Sequence, residues 1–367
     1  MRFLPALAVF TGTIIGAGFL GIPYVVSKSG VLFGFFYLLM VALFIMLIKL
    51  YLGEVTLRTS GSHQLTGYAE KYLGKKGKIV MFLAMIFGIF PALLAYLLAE
   101  GRSLSYVFFG NFDYSFYFSL GFWLLMTCLT FVGLRALKRY DKLGLFLVLG
   151  IVLSIFIFFI GDVKTENFSL IGENIFSPFG VILFSFLAFS SLPEVRRILF
   201  GEGKLMKEVI ISGVMIAFLV YLLFCFIVVG VFGTSVQEIA TLSLGRFFSI
   251  LGVLTMFTAF FTQSLAMRDM FRFDFGLGRM KGWILASIIP LILFLITYFF
   301  DGLSFTQILG IAGVISGGLT GILILLMNLK SKRKGDRRPE YSIRINLEII
   351  LILSLLFILG VLLELFL

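Results

Sequence analysis

The chain has 367 residues, of which 60% are hydrophobic and only 13% charged, and its formal net charge is +11. That balance excludes an ordinary soluble enzyme and marks an all-α integral membrane protein that crosses the bilayer many times. The basic excess does not point to nucleic acid, because Lys and Arg are parcelled out between apolar segments.

Eleven apolar spans can be read, at residues 3–26, 31–48, 79–99, 116–132, 143–160, 175–192, 209–232, 247–267, 283–300, 305–329 and 349–367. Each is near the roughly 20 residues that a spanning helix needs. The first is too long for a cleaved signal peptide and lacks a small-residue cleavage site beside it. It is also unusual inside. Residues 11–23 hold Gly12, Gly16, Gly18, Gly21 and Pro23, which make an unbroken helix costly. In hydrocarbon an unwound stretch leaves backbone groups unpaired, so a break belongs where it lines a cavity or binds something. Two readings stand: Gly12 and Gly16 form a GxxxG helix-packing face, or the break is a binding site. In the second, amides opening the following half-helix face an anion, and carbonyls ending the preceding one face an amine or small cation. Thr13, Ile14, Gly16, Ala17 and Gly18 are the candidate residues, and bulky side chains at Gly16 or Gly18 are expected to block binding without unfolding the chain.

The second span ends with Lys49, expected to snorkel to the interface, and Glu54, either a structural cap or a proton seat. Residues 65–74 read as a short amphipathic helix stopped by Gly74. In the third span Tyr96 and Glu100 share a face one turn apart. Glu100 is either a cavity carboxylate able to bind a coupling ion, or an interfacial partner of Arg102. The sixth span repeats the anomaly of the first. Phe184, Ser185, Phe186, Leu187, Ala188 and Ser190 run small and polar into Pro193, as the first span runs into Pro23. Pro23 and Pro193 close the first spans of two successive five-span blocks, and five being odd, the blocks are inverted repeats. The predicted organisation is a first repeat at 1–162, an inverted second repeat at 163–330, and a basic loop with one extra helix at 331–367. Helices 1 and 6 are predicted to be discontinuous.

In span eight, Thr255, Thr258 and Thr262 line one face, either bonding back to their own helix or wetting a cation site. Gly313, Gly317 and Gly321 in span ten read as a packing face. Arg2 and Asp269, at the inner ends of spans one and eight, are a candidate inner-gate pair by position. Connections crowded with Lys and Arg, such as Arg135, Lys138, Arg139 and Lys142, alternate with sparse ones. The positive-inside rule then puts the amino terminus in the cytoplasm and the carboxyl terminus outside, in the plasma membrane, with the basic loops near anionic lipid. Cys128 and Cys225 offer no disulfide or metal spacing. The single histidine, His63, lies in a loop, and no nucleophile with a base at depth supports an enzyme.

The first-span motif from Gly12 to Gly18 with Ile22-Pro23, the stretch from Phe184 to Glu194, and Leu52-Gly53-Glu54 resemble the amino acid/polyamine/organocation superfamily. The nearest branches are the amino acid/auxin permeases and the aromatic amino acid permeases. The resemblance implies the leucine-transporter fold, a five-plus-five inverted repeat, and alternating-access transport of an amino acid. It implies that amides of Ala17 and Gly18 hold the substrate carboxylate, and that the Ile14 carbonyl with Phe184 and Leu187 holds the amine. Phe186 is implied as an outer gate and Tyr96 as a wall. Carbonyls of Gly12 and Ile15 with a span-eight hydroxyl pair would hold sodium, but Thr258 is followed by Ala259, and span five has no lysine for a proton. Ala188 stands where relatives often have glycine. The expected function is therefore a secondary amino acid transporter coupled to H+ or Na+, with no cofactor. The alternatives are an exchanger or a same-fold carrier of a polyamine or nucleobase; span one offers no ligands for a metal.

Overall fold

The computed structural model describes residues 2–61, 63–133, 141–300 and 302–366. The basic connection holding Arg135, Lys138 and Arg139 lies outside the described residues. Long apolar stretches fold as helices because helix formation pairs every backbone group within the segment, as hydrocarbon demands. In chain order they are α1 (Phe3–Ile14), α2 (Ile22–Ser29), α3 (Val31–Arg58), α4 (Leu65–Phe109), α5 (Ser115–Val132), α6 (Asp141–Phe159), α7 (Pro178–Phe186) and α8 (Leu192–Ile198). Then follow α9 (Leu205–Phe232), the short α10 (Ala240–Ser243), α11 (Arg246–Phe273), α12 (Arg279–Phe299), α13 (Phe305–Lys334) and α14 (Leu347–Phe366).

Among the described residues, 8 helices are long and apolar enough to cross a membrane, or 9 if the bent pair Phe3–Ile14 and Ala17–Ser29 is one span. Two shorter apolar helices, Val148–Asp162 and Leu347–Leu362, stand beside them. Lipid-facing stripes are legible on their surfaces. On α3, Leu32, Phe36, Leu39 and Leu43 are exposed at helical spacing, while Leu38, Val41, Ala42, Ile45 and Ile48 are buried. Residues 65–109 are drawn as one helix, yet Gly74 sits inside it at φ 80°, ψ −172°, so the amphipathic turn before it meets the span at a sharp kink.

Helix α13 is the most enclosed span, and its glycines explain why. A Cβ at Gly313 would stand 2.2 Å from the carbonyl oxygen of Gly180, and one at Gly317 would stand 2.9 Å from Leu187 Cδ2. Two helices approach this closely only where a side chain is missing. The bundle is sewn at both ends. At the Gly30 end, the amides of Val31 and Leu32 donate to the carbonyls of Ser169 and Leu170, and that of Gly172 to Ser29.

At the Arg58 end, Glu54 is fully buried. Its Oε1 accepts from Arg58 Nε at 2.9 Å and Ser342 Oγ at 2.8 Å. Its Oε2 accepts from the Ile343 amide at 3.0 Å and Asn328 Nδ2 at 3.2 Å. Tyr341 Oη adds a bond to the Leu50 carbonyl at 2.7 Å. Glu54 is thus a knot tying α3 to α13 and the segment after it. Lys49 departs from its expected snorkelling. It is fully buried, its Nζ has no hydrogen-bond partner, and it rests 4.7 Å from the centroid of the Phe10 ring. Snorkelling requires an open path to the interface, and the Phe10 ring of α1 lies against the ammonium instead.

Candidate functional site

The site is built where two helices stop in mid-bundle. Helix α1 ends at Ile14; Ile15 takes φ −77°, ψ 62° and Gly16 the extended φ −83°, ψ −163°. A 3-10 turn, Ala17–Gly21, then leads into α2, with Pro23 in its first turn. Proline is harmless there, where its missing N–H has no acceptor to lose. Helix α7 stops the same way. Leu187 takes φ −57°, ψ −81° and Ala188 the left-handed φ 38°, ψ 32°. A 3-10 turn, Phe189–Ser191, then leads into α8, with Pro193 in its first turn. Ala188 has the only positive φ of a non-glycine among the described residues, which explains why a glycine would suit the position.

The breaks touch each other. A Cβ at Gly18 would lie 2.9 Å from both Phe184 Cδ1 and Ser185 Oγ. At Gly16, by contrast, it would meet only the Thr13 carbonyl oxygen at 3.8 Å and Ala259 Cβ of α11 at 4.0 Å. Gly16 therefore has room for a Cβ at ordinary contact distance from α11, whereas Gly18 is the contact point between α7 and the first break. That corrects the expectation that bulk at either glycine would leave the fold alone. Ala17 and Gly18 open the 3-10 turn, so their N–H groups have no acceptor within it. The Gly16 amide donates to the Ile14 carbonyl at 2.7 Å, which leaves the Gly12 carbonyl without its helical donor.

Tyr221, midway along α9, went unnoticed in the sequence. Its hydroxyl lies 2.8 Å from the Ile14 carbonyl oxygen and 2.9 Å from that of Ser185. The side chain is unexposed, its ring stacked on Phe19 at 5.8 Å and meeting Phe186 edge-on at 5.0 Å. The available signal was a lone tyrosine at the centre of an otherwise apolar span. With Gly16 and Tyr221 both directed at it, the Ile14 carbonyl has no lone pair left for a substrate amine. Phe186 is fully buried, packed edge-on against Tyr221; Phe184, half-buried, is the ring beside Gly18.

On the facing helices, Tyr96 Oη accepts from Gln263 Nε2 at 3.2 Å, joining α4 to α11. Gln263 was also missed, although it is the only carboxamide in its span. Thr255, Thr258 and Thr262 donate to the carbonyls of Gly252, Thr255 and Thr258 at 2.8, 2.9 and 2.9 Å, so each bonds back to its own helix. Thr13 and Ser185 do likewise, to Val9 at 2.7 Å and Val181 at 2.8 Å, and Ser190 is exposed. Glu100 is fully buried with both carboxylate oxygens unpartnered, not paired with Arg102, which stands near Glu238. The structure does not bring Arg2 and Asp269 together. Arg2 donates to the Phe200 carbonyl and stands 3.9 Å from Glu202, and Asp269 is held by Arg268 at 2.8 Å. Each has a nearer partner in its own neighbourhood, which position along the chain could not reveal.

Similar proteins share this architecture over the whole chain. The crystal structure of MhsT in complex with L-phenylalanine aligns with a TM-score of 0.68 at 16% identity, covering 99% of this chain and 97% of that one. The inward-facing conformation of Mhp1 aligns at 0.65 and 13% identity, covering 99% and 88%. These likenesses give the chain the leucine-transporter fold. In sequence it is 23% identical over 364 residues to glutamine transporter 2 of Aliivibrio fischeri, covering 92% of this chain and 91% of the relative. It is 25% identical over 217 residues to tyrosine-specific transport system 1 of Haemophilus influenzae, covering 58% and 54%. These relatives are transporters, not enzymes. Residues 1–242, close to two thirds of the chain, match the tryptophan/tyrosine permease family, and the chain belongs to that family.

Proposed function

We propose that the chain carries an amino acid across the plasma membrane by alternating access, gripping it at the paired breaks. The observation that carries this reading is the direct apposition of the two breaks at Gly18, Phe184 and Ser185, each with a half-helix on either side. The substrate carboxylate sits on the amides of Ala17 and Gly18, where the positive end of the following helix favours an anion. The amine turns to the freed carbonyls of Gly12 and Thr13 and to the end of α7 at Leu187, in place of the saturated Ile14 oxygen. The side chain extends past Gly16 toward Ala259, Gln263 and Tyr96. Glutamine and tyrosine, named for the two relatives, are accordingly the first substrates to try.

In this reading eleven spans form a five-plus-five inverted repeat, 1–162 and 163–330, followed by the basic loop and α14. The amino terminus is cytoplasmic, the carboxyl terminus is outside, and the basic loops meet anionic lipid. The chain falls within the wider amino acid/polyamine/organocation superfamily. For the coupling ion, the unpartnered carboxylate of Glu100 favours a proton, while Ala259, which follows Thr258 where a second hydroxyl would be needed, weighs against sodium on Gly12 and Ile15. Thermal-shift screening of the common amino acids, with and without sodium at two pH values, tests the reading, followed by counterflow in proteoliposomes. Stabilisation by an amino acid and its exchange across the membrane are expected. Absence of both would overturn it.

A further inference from the structure

We propose that Tyr221 is the brace that assembles the amino acid site, its hydroxyl standing between the two breaks where converging carbonyls would otherwise call for a cation. The inference rests on the transport function proposed above. When helices α1 and α7 stop in mid-bundle, each presents its negative end, and here one carbonyl from each end converges on a single point. Two such oxygens repel unless a donor or a positive ion lies between them, and broken transporter helices commonly recruit an ion for this. In this chain the point is occupied by a phenol oxygen 2.8 Å from the Ile14 carbonyl and 2.9 Å from the Ser185 carbonyl.

A phenol has one proton, and between two oxygens at nearly equal distance it acts as a bifurcated donor. The Ile14 oxygen already receives the Gly16 amide at 2.7 Å. Ser185 lacks such help, because Phe189, four residues on, lies beyond the break. The hydroxyl proton is shared between the two oxygens, and with the Gly16 amide already on Ile14 both carbonyls are satisfied without an ion. The surroundings agree. Phe19 stacks on the Tyr221 ring, backed by Phe224, Phe186 meets the same ring edge-on, and the Ser185 hydroxyl is turned away to Val181. Hard cations require several oxygen ligands, and two carbonyls already met by the Tyr221 hydroxyl do not supply them. Tyr221 is thus a positioning residue: it belongs to α9, touches neither the Ala17 nor the Gly18 amide, and fixes the spacing of the halves that do the gripping.

The test uses the full chain with the amino acid giving the largest thermal shift, its affinity measured in sodium and in choline. Tyr221→Phe keeps the ring and removes the brace. The expected results are a lower melting temperature without substrate and an affinity loss of about tenfold in both salts, the worth of one buried hydrogen bond. Tyr221→Asn opens the space between the carbonyls and adds a ligand oxygen, so its sodium-to-choline affinity ratio is expected to rise above that of the wild type. Wild-type affinity in Tyr221→Phe, or an unchanged ratio in Tyr221→Asn, would overturn the brace. If the wild type itself binds no amino acid, the transport function fails instead, and the melting temperature of Tyr221→Phe alone decides whether the brace exists.

Discussion

Gly16 and Gly18 are two residues apart in one motif, yet substitution should separate them cleanly. At Gly18 an added Cβ would sit 2.9 Å from Phe184 Cδ1 and from Ser185 Oγ. Carbon atoms pack best at about 3.5–4.0 Å, so the Phe184 ring must retreat by roughly 0.6–1 Å. Overpacking of that size costs about 1–3 kcal/mol, and it pries apart the very pair of segments that form the site. At Gly16 the nearest atoms to a new Cβ are at 3.8 and 4.0 Å, ordinary contact, and φ −83° is open to any residue. Removing a glycine there stabilises through the unfolded chain by about 0.4–1 kcal/mol. Gly18→Ala is therefore expected to melt below the wild type and Gly16→Ala at or above it. Gly16→Val should lose amino acid binding while remaining folded, because its branches fill the space facing Ala259. Thermal unfolding in detergent and equilibrium binding measure both effects. Equal melting temperatures for the two alanine variants would refute the assignment of Gly18 to tight contact and Gly16 to ordinary contact.

Glu54→Ala removes the acceptor shared by Arg58, Ser342, Ile343 and Asn328, and breaking a buried charge network of this kind costs about 3–5 kcal/mol; a melting temperature near wild type would show the knot to be dispensable. Lys49→Met should hold or raise the melting temperature, because desolvating an ammonium costs several kcal/mol against about 0.5–2 kcal/mol returned by the Phe10 face. A clear fall would mean that Lys49 has a partner in the membrane. Asp336 is held below the usual carboxylate range by Lys71, which donates to it, and by the Ser60 amide at 2.7 Å. A depressed carboxyl stabilises the fold fully above its unfolded value, roughly pH 4, and loses that contribution as pH falls through the lower folded value. The stability difference between wild type and Asp336→Asn should accordingly be flat near neutrality and vanish in acid; a difference that grew in acid would contradict the pairing.

What could be read in the sequence was whatever depends on local chemistry. Glycines and a proline inside an apolar run announce an interrupted helix wherever the neighbours lie, so the stretches 12–18 and 186–191 could be marked from the sequence. The glycines at 313 and 317 likewise declare close approach. What escaped reading depends on partners distant in sequence. Lys49 has the composition of a snorkelling residue, and only the packing of Phe10 over it closes the path. Ile14 looked like a free helix-end carbonyl, but its lone pairs are taken by Gly16 and by Tyr221, the latter 207 positions away. Arg2 and Asp269 matched in charge and depth, yet each finds a closer partner at its own end of the bundle.

The two breaks reach one geometry from different residues, and the difference bears on how the site is held. The first uses Gly16 in extended backbone, which any residue tolerates, and a 3-10 turn of five residues. The second uses Ala188 in the left-handed region, where a Cβ costs about 1–2 kcal/mol, and a turn of only three. Strain of that kind persists only when surrounding contacts over-determine it. They do so here: Gly313 of α13 presses on the Phe184 amide, Gly317 on Leu187, and Ser191 returns a bond to the Ala188 carbonyl at 2.7 Å. The second break is thus held from behind by α13, as α1 ahead of the first break is held against α9 at Gly213, where a Cβ would stand 2.4 Å from Phe10 Cδ1. Each half-helix is thus backed by a neighbouring helix, and the Tyr221 hydroxyl, 2.8 and 2.9 Å from their end carbonyls, is the group that spans the gap between them.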